Sequence, residues 1–125
     1  MPLTDVFEKQ LLDWGLGGAA ASQPTQRWIQ FATASPTNAN AFDGPFSPRA
    51  TVTFAAANSP QGSVTNLNTI SVVTATAAGT AVGWNIYDRS VGGTRIAYGT
   101  CTAAIGCKSG DQPALNPGTL KITLA

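Results

Sequence analysis

The chain has 125 residues, with seven basic and six acidic side chains and no histidine. Charged residues make up 10% of the sequence, against roughly 25% in a typical soluble domain. The formal charge of +1 is too small to attract nucleic acid or an anionic lipid surface, and no apolar run approaches the ~20 residues that span a membrane. We therefore expect no nucleic-acid partner, no membrane partner and a nearly neutral exterior.

The first predicted element is an amphipathic helix in the segment PLTDVFEKQLLDWGLGG. Phe7, Leu11 and Trp14 recur at helical spacing and form a narrow apolar stripe, whereas the charged residues take the other face. Thr4 is the expected N-cap, and the glycines from Gly15 onward are expected to end the helix. Because so short a helix is marginal alone, we expect it to dock on its own β-domain or on a neighbouring subunit.

After the linker AAASQPTQ the hydrophobic period changes from 3.6 to 2. Apolar and polar residues alternate in RWIQFAT, ATVTFAAA, AVGWNIYD, TRIAYGT and LKITLA, the pattern of strands with one buried face. Turn-forming residues separate these runs, and the longest irregular stretch, residues 34–48, has a length that is usually functional or mobile.

These elements predict an all-β fold, an antiparallel β-sandwich or jelly-roll-like barrel of about seven or eight strands with one short N-terminal α-helix. We assign the docking helix to residues 1–18 and the β-sandwich to residues 19–125 of a single domain.

A β-hairpin is predicted in WNIYDRSVGGTRIAY, where two β-prone runs flank a turn with a Gly-Gly pair. Trp84 and Ile86 are expected on the core side of the first strand, and Ile96 and Tyr98 on one face of the second. The tip, residues 89–93, is expected to touch a neighbouring molecule. The rest of the hairpin is expected to have a structural role as a rigid part of the sheet.

Trp28 falls on the face of its strand opposite to Ile29 and Phe31, which is the less buried face unless the helix covers it. We expect it to pack against Phe7 and Trp14, and this packing is favoured over stacking on a sugar ring.

The sequence offers little for catalysis. Without histidine there is no Ser-His-Asp or Cys-His nucleophile and no His-based metal site. A glycosidase pair of Asp43 and Asp88, and calcium binding by the turns FDG or SGDQ, are disfavoured because turn formation explains these carboxylates. We therefore expect no catalytic residue, no cofactor and no metal site.

The only cysteines, Cys101 and Cys107, are spaced as CTAAIGC, which fits neither a zinc site nor a C-x-x-C redox motif. Three states remain open: a disulfide between the two, a bond to another copy, or free thiols. A reducing cytosol disfavours disulfides, but a particle released from the cell meets oxygen.

Taken in order, five segments resemble a family of small phage virion proteins that is generally labelled tail fibre protein. They are LTDVFEKQLLDWGLGG, RWIQFATASPT, TVTFAAANSPQG, GWNIYDRSVGGTRIAYGT and KSGDQPALNPGTLKITLA, and they cover nearly the whole chain. The chain departs from the family pattern at Gly15, where leucine is expected, and in the pair Cys101 and Cys107. The resemblance implies a structural virion protein without enzymatic activity.

The sequence has neither long heptads nor a repeated β-motif for a fibre shaft. Because the sequence has no shaft pattern and few charged residues, we expect a capsid decoration or cement protein that binds the head lattice in many copies. Its partners would be the major capsid protein or other virion proteins and copies of itself. The alternative is a tail-fibre or tail-tip module that contacts a host surface glycan.

The resemblance implies a location in the virion. Assembly in the bacterial host cytoplasm is expected because the acidic residues of the N-terminal segment give the wrong charge order for a secretory signal. The residues expected at interfaces are Phe7, Leu11, Trp14, Trp28, Arg89 and Asp43.

Overall fold

The computed structural model describes residues 3–18, 25–54, 56 and 63–123. Most of the linker AAASQPTQ, the turn NSPQG, and Leu124 and Ala125 lie outside the described residues. This part of the chain contains one helix and eight strands. In chain order they are α1 (Asp5–Leu16), β1 (Trp28–Ala32), β2 (Phe46–Ser47), β3 (Ala50–Thr51), β4 (Ser63–Thr65), β5 (Thr74–Ala75), β6 (Gly79–Tyr87), β7 (Arg95–Cys107) and β8 (Lys121–Thr123).

The strands pair antiparallel in one four-stranded sheet, in the order β3-β1-β6-β7, and in two two-stranded ladders, β2-β5 and β4-β8. The predicted all-β fold with one short N-terminal helix is confirmed. The described strands do not close into a barrel. They are therefore consistent with the sandwich and not with the jelly-roll-like barrel.

The core is centred where β1 and β6 pair in the middle of the sheet. Phe31 lies opposite Trp84 and Ile29 opposite Ile86, and all four side chains are buried, as their alternation predicted. The Phe31 ring meets the Phe46 ring edge-on, with the ring centroids 5.8 Å apart. Burying a side chain of this size contributes about 1.5–3 kcal/mol, so this cluster is a major source of stability for the sheet.

The opposite face of the two central strands is also covered, which the sequence did not predict. The alternation placed Gln30 towards solvent, whereas its side chain is buried. Residues 33–45 fold over this face. Gln30 Nε2 donates to the carbonyl oxygen of Gly44 in this segment at 3.2 Å and to that of Phe46, the first residue of β2, at 2.8 Å. Asp43 of the same segment forms an isolated bridge with Ala32. Because buried amides need hydrogen-bond partners, the covering segment makes an interior Gln30 acceptable.

α1 begins at the predicted cap and ends at Gly17, one of the glycines expected to stop it. Thr4 is the N-cap, and its Oγ1 accepts a hydrogen bond from the Phe7 N–H at 3.4 Å. Gly17 ends the helix in the left-handed conformation, at a φ of 75°. Gly15 was expected to stop the helix but lies inside its last turn, because a single glycine weakens a helix without breaking it. Within the described residues, no helix is both long and apolar enough to cross a membrane.

β6 and β7 form the predicted hairpin, in which Trp84 lies opposite Gly99. A Cβ atom at position 99 would clash with the Trp84 ring, so the close packing of this ring on β7 requires glycine. Leu3 adds an isolated antiparallel bridge at Ala97, near the start of β7. The N-terminal segment therefore meets the sheet at the end where the hairpin turns.

Candidate functional site

A connected set of polar side chains lies where residues 33–45 meet the hairpin. This polar cluster consists of Asp43, Asn85, Tyr87, Arg95 and Arg49. Asn85, on β6, is fully buried, and its Nδ2 donates to Asp43 Oδ1 and to the Ala41 carbonyl oxygen, each at 2.8 Å. Its Oδ1 accepts a hydrogen bond from Arg95 Nη1 at 2.9 Å. The amide is thus paired through both its nitrogen and its oxygen, as its burial requires.

Tyr87 contacts the other oxygen of the Asp43 carboxylate. Its hydroxyl donates to Asp43 Oδ2 at 2.6 Å, so both carboxylate oxygens accept a hydrogen bond from β6. Burial of the phenol and its bond to this carboxylate raise the pKa of Tyr87 well above the ordinary value, because ionisation would lose the bond and bring a second negative charge beside Asp43. The arrangement therefore favours a neutral Tyr87 that donates a hydrogen bond.

Arg95 fastens the covering segment to the start of β7. Besides the bond to Asn85, its Nη2 donates to the carbonyl oxygens of Thr37 at 2.6 Å and Asn38 at 2.8 Å. The planar guanidinium presents five donors in a fixed fork, and this geometry lets one side chain hold an amide and two loop carbonyls. The stretch 34–48, expected from its length to be functional or mobile, is thus held on the sheet by hairpin side chains.

The hairpin tip is defined from here on as the turn between β6 and β7, residues 88–94, which contains the predicted tip 89–93. Arg49 contacts this turn. The Arg49 guanidinium carbon lies 3.7 Å from the centroid of the Tyr87 ring. Its Nη1 donates to the carbonyl oxygens of Arg89 at 2.9 Å and Gly92 at 2.8 Å. Val91 is 84% exposed, and Arg89 is exposed as well. The tip therefore presents an apolar side chain and a cation on a backbone that the hydrogen bonds of Arg49 hold in place.

The helix α1, hereafter the arm, forms a second candidate surface. Exposure rises along its apolar stripe: Phe7 is half-buried against the core, Leu11 is 37% exposed and Trp14 is 73% exposed. None of the arm residues is fully buried. The arm therefore leaves the sheet after its first turn, and among the described residues nothing covers the far end of the stripe.

The base of the arm is tied to the polar cluster. The Asp5 N–H donates to Asn38 Oδ1 at 3.0 Å, and Asn38 Nδ2 donates back to the Asp5 carboxylate at 2.9 Å. The Asn38 carbonyl accepts from Arg95, and Thr4 Oγ1 donates to the Arg95 carbonyl oxygen at 2.7 Å. A continuous series of polar contacts thus runs from the base of the arm, through the polar cluster, to the hairpin tip.

The residues predicted at interfaces lie in different places. The three apolar residues of the stripe lie on the arm, Arg89 lies on the tip, and Asp43 lies within the polar cluster with both carboxylate oxygens engaged. Trp28 is half-buried on β1. Trp14 is 73% exposed and so is not packed into the body, as its predicted contact with Trp28 requires. The predicted packing of Trp28 against Phe7 stays a prediction. Whether these residues contact partners stays a prediction.

The carboxylates considered for catalysis or calcium binding have partners in the fold. Besides Asp43, the Asp88 carboxylate accepts from the Thr94 N–H at 2.8 Å, and the Asp111 carboxylate accepts from the Lys108 N–H at 2.8 Å. In the ranges that the structure describes, no group of three or more His, Cys, Asp or Glu side chains is placed to hold a metal ion. The role these carboxylates have in the fold is to form turns and to fasten the loop.

A cavity of about 490 Å³ lies beside β3, at the edge of the sheet. It offers hydroxyl and amide groups, one guanidinium and one aromatic ring, which are groups that hydrogen-bond to and stack on sugars. The lining residues are Thr25, Gln26, Arg27, Thr51, Val52, Thr53 and Phe54.

Both cysteines are free thiols on β7. Cys107 lies opposite Gly79, whereas Thr100, next to Cys101, lies opposite Gly83, four residues or about 13 Å further along β6. Since adjacent Cα atoms are about 3.8 Å apart, the two cysteine Cα atoms are at least about 9 Å apart, beyond the ~7 Å limit for a disulfide. A bond within the chain does not fit this strand, which leaves free thiols or a bond to another copy. Burial raises the pKa of both thiols.

The sequence analysis missed Asn85, Arg95 and Arg49. A signal for Asn85 was present, because asparagine is depleted in strands and this one interrupts an otherwise apolar central strand. The arginines gave no such signal, since they bind backbone carbonyls 40 to 58 positions away in the chain.

Comparison with family models matches residues 2–123 to the family described as podophage GP4 fiber I protein gp80. No curated protein matches the chain. The matched range includes the arm, the sheet and the polar cluster.

Proposed function

The chain belongs to the podophage GP4 fiber I protein gp80 family, and from this premise we propose that it is a non-enzymatic structural subunit of a phage fibre. The family match over residues 2–123 carries the proposal. The distribution of contacts supports it. The side chains of the polar cluster bind one another and the loop, whereas Leu11 and Trp14 on the arm are exposed.

In this proposal residues 1–18 attach the subunit and residues 19–125 form its body. The hydrogen bonds between Asp5 and Asn38, together with those of Arg95, fix the angle at which the arm leaves the body. A fixed angle serves a structural subunit because each copy then presents its attachment surface in the same direction.

Locating the protein on intact particles tests this role. Electron microscopy with a gold-labelled antibody fragment, combined with quantitative mass spectrometry of purified virions, gives its position and copy number. We expect label at the fibres and a copy number that is a small multiple of the tail symmetry. Label spread over the head, in on the order of hundreds of copies, would contradict it.

A capsid decoration or cement protein that binds the major capsid protein is the second candidate. The low content of charged residues, 10% of the chain, favours it because closely packed copies of a nearly neutral protein do not repel one another. The same labelling experiment decides, since this candidate requires label over the head. Adding the purified protein to particles that lack it should then raise their resistance to heat.

Contact with a host surface glycan is a further candidate, supported by the cavity beside β3. A glycan array and titration with isolated host polysaccharide test it, with Arg27→Ala as the variant and Lys121→Ala, an exposed cation on β8 outside the cavity, as the control. We expect Arg27→Ala to weaken binding at least about tenfold, because the guanidinium is the charged hydrogen-bond donor of the lining. A wild-type chain that binds no glycan would eliminate this candidate.

A further inference from the structure

The charges of the chain are divided unevenly between the arm and the body. The arm carries three acidic side chains and Lys9, a net charge of −2, and the rest of the chain has a net charge of +3. Two arms side by side would repel each other, whereas an arm lying on the body of another copy would be attracted to it. The charge distribution thus favours the body as the surface that receives the arm.

The arm also has apolar surface that its own body leaves uncovered. Leu11 and Trp14 are both exposed, and because they are three positions apart they lie on one face of the helix. Exposed apolar patches of about 300–600 Å² on monomers are often interaction sites, and tryptophan is among the residues that most often dominate binding energy. The arm therefore has the composition of a docking element.

The hairpin tip has an exposed apolar residue and a positive charge, which complement the apolar stripe and the negative charge of the arm. Among the described residues Val91 is the most exposed large apolar side chain, and Arg89 lies two positions before it. Arg49 bonds the tip carbonyls on both sides of Val91, at Arg89 and at Gly92. A surface that is already ordered loses little conformational entropy on binding, so the tip suits a role as a receiving surface.

The arm and the tip lie at the same end of the body. The Thr4 N–H donates to the Ile96 carbonyl oxygen at 2.9 Å, and Thr4 Oγ1 donates to that of Arg95, so the arm begins beside the tip residues 88–94. Yet Trp14 and Val91 are both largely exposed in the same chain. Two copies that meet at this end bring each arm close to the tip of the other.

We propose that the arm of one copy packs on the hairpin tip of a neighbouring copy, with Trp14 and Leu11 against Val91. Glu8, which lies three positions before Leu11 and flanks the apolar stripe, then faces Arg89. The occupant of each tip is thus a second copy of this chain. This inference deepens the structural role proposed above and rests on it for its use in the particle, whereas assembly in solution can be measured without knowing where the protein sits on the virion.

Complementation between two defective variants tests the pairing. Trp14→Ala removes the main apolar residue of the arm and leaves the tip intact, and Val91→Ser does the reverse. Sedimentation velocity of the full chain should show concentration-dependent association for the wild type, weakened at least about tenfold in each variant alone. An equimolar mixture of the two variants should associate more tightly than either alone, because one intact arm meets one intact tip.

Matched controls and charge reversal complete the test. Val72→Ser changes an exposed valine outside the tip and should leave association unchanged, as should Lys121→Glu, a charge reversal on β8. Arg89→Glu and Glu8→Lys should each weaken association, and the double variant should recover most of it. Circular dichroism confirms that each variant is folded. A monomeric wild type, association that survives Val91→Ser, or a mixture no tighter than its components would overturn the proposal.

Discussion

The polar cluster and the arm differ in how completely their side chains are satisfied inside the chain. Asn85 has hydrogen-bond partners on both its amide nitrogen and its oxygen, and both oxygens of Asp43 accept bonds. Trp14 is mostly exposed at the far end of an apolar stripe. The comparison shows which groups remain accessible to a partner. The polar groups that could support chemistry already have hydrogen-bond partners within the fold, whereas apolar side chains of the arm are exposed to solvent.

This difference predicts two kinds of substitution effect. Removing a member of the polar cluster leaves other buried groups without partners and so lowers the free energy of unfolding. Removing an exposed residue of the arm changes little in the isolated chain and acts on assembly.

Asn85→Ala should give the largest loss of stability. The change leaves one Asp43 oxygen, one Arg95 N–H and the Ala41 carbonyl oxygen without their partners. We expect the free energy of unfolding to fall by about 3–5 kcal/mol, measured by urea denaturation. As a control, Asn68→Ala removes an amide that accepts from the Thr53 N–H and donates to the Thr51 carbonyl oxygen. These bonds are exposed, so water can replace them, and we expect a cost of about 1 kcal/mol. Equal losses for the two variants would contradict the special role of the cluster.

Arg95→Lys keeps the charge but loses the fork, so it separates geometry from electrostatics. An ammonium group cannot reach an amide and two loop carbonyls in the same arrangement, and we expect a loss of about 1.5–3 kcal/mol. Hydrogen exchange measured by mass spectrometry should speed up in residues 34–45 and stay unchanged in β4. Unchanged protection of residues 34–45 would show that Arg95 does not hold this segment.

The sheet core and helix start differ from the covered face of the sheet in how well the sequence predicted them. The inward positions of Ile29, Phe31 and Trp84 and the start of the helix at Thr4 followed from periodicity and capping, which are local rules. The burial of Gln30 did not, because it depends on a loop that returns across the sheet from later in the chain. Local patterns describe what a residue prefers, and the covering segment is a long-range feature.

Tyr87→Phe removes one hydrogen bond and should cost about 1–2 kcal/mol at neutral pH. It should also change the response to alkali. Because the pKa of Tyr87 is raised in the folded chain above its unfolded value of about 10, the stability that it contributes is complete below about pH 10 and is lost as the pH rises further. Urea denaturation between about pH 9 and about pH 11.5 should show a steeper loss of stability for the wild type than for the variant. Parallel curves would contradict the bond to Asp43.

The loss of stability caused by alanine substitutions should decrease from the start of the arm to its end. Phe7→Ala removes a ring that packs on the core and should lower the free energy of unfolding by about 1–2 kcal/mol. Trp14→Ala removes a larger ring that is mostly exposed and should cost less than about 0.5 kcal/mol in the monomeric chain. Measuring both in dilute solution keeps assembly from contributing. A larger loss for Trp14→Ala would mean that the arm lies against its own body.

Adding reductant should have the smallest effect on stability. The register of β7 keeps the two cysteines too far apart to form a disulfide within the chain. A disulfide closing so short a loop would stabilise the fold by about 2–3 kcal/mol and shift the melting temperature by several degrees. We expect no shift when the monomeric protein is melted with and without reductant. Alkylation after unfolding should then label two thiols per chain. A lower melting temperature in reductant would require β7 to leave its observed register, and the arm base that pairs with its first residues would have to move with it.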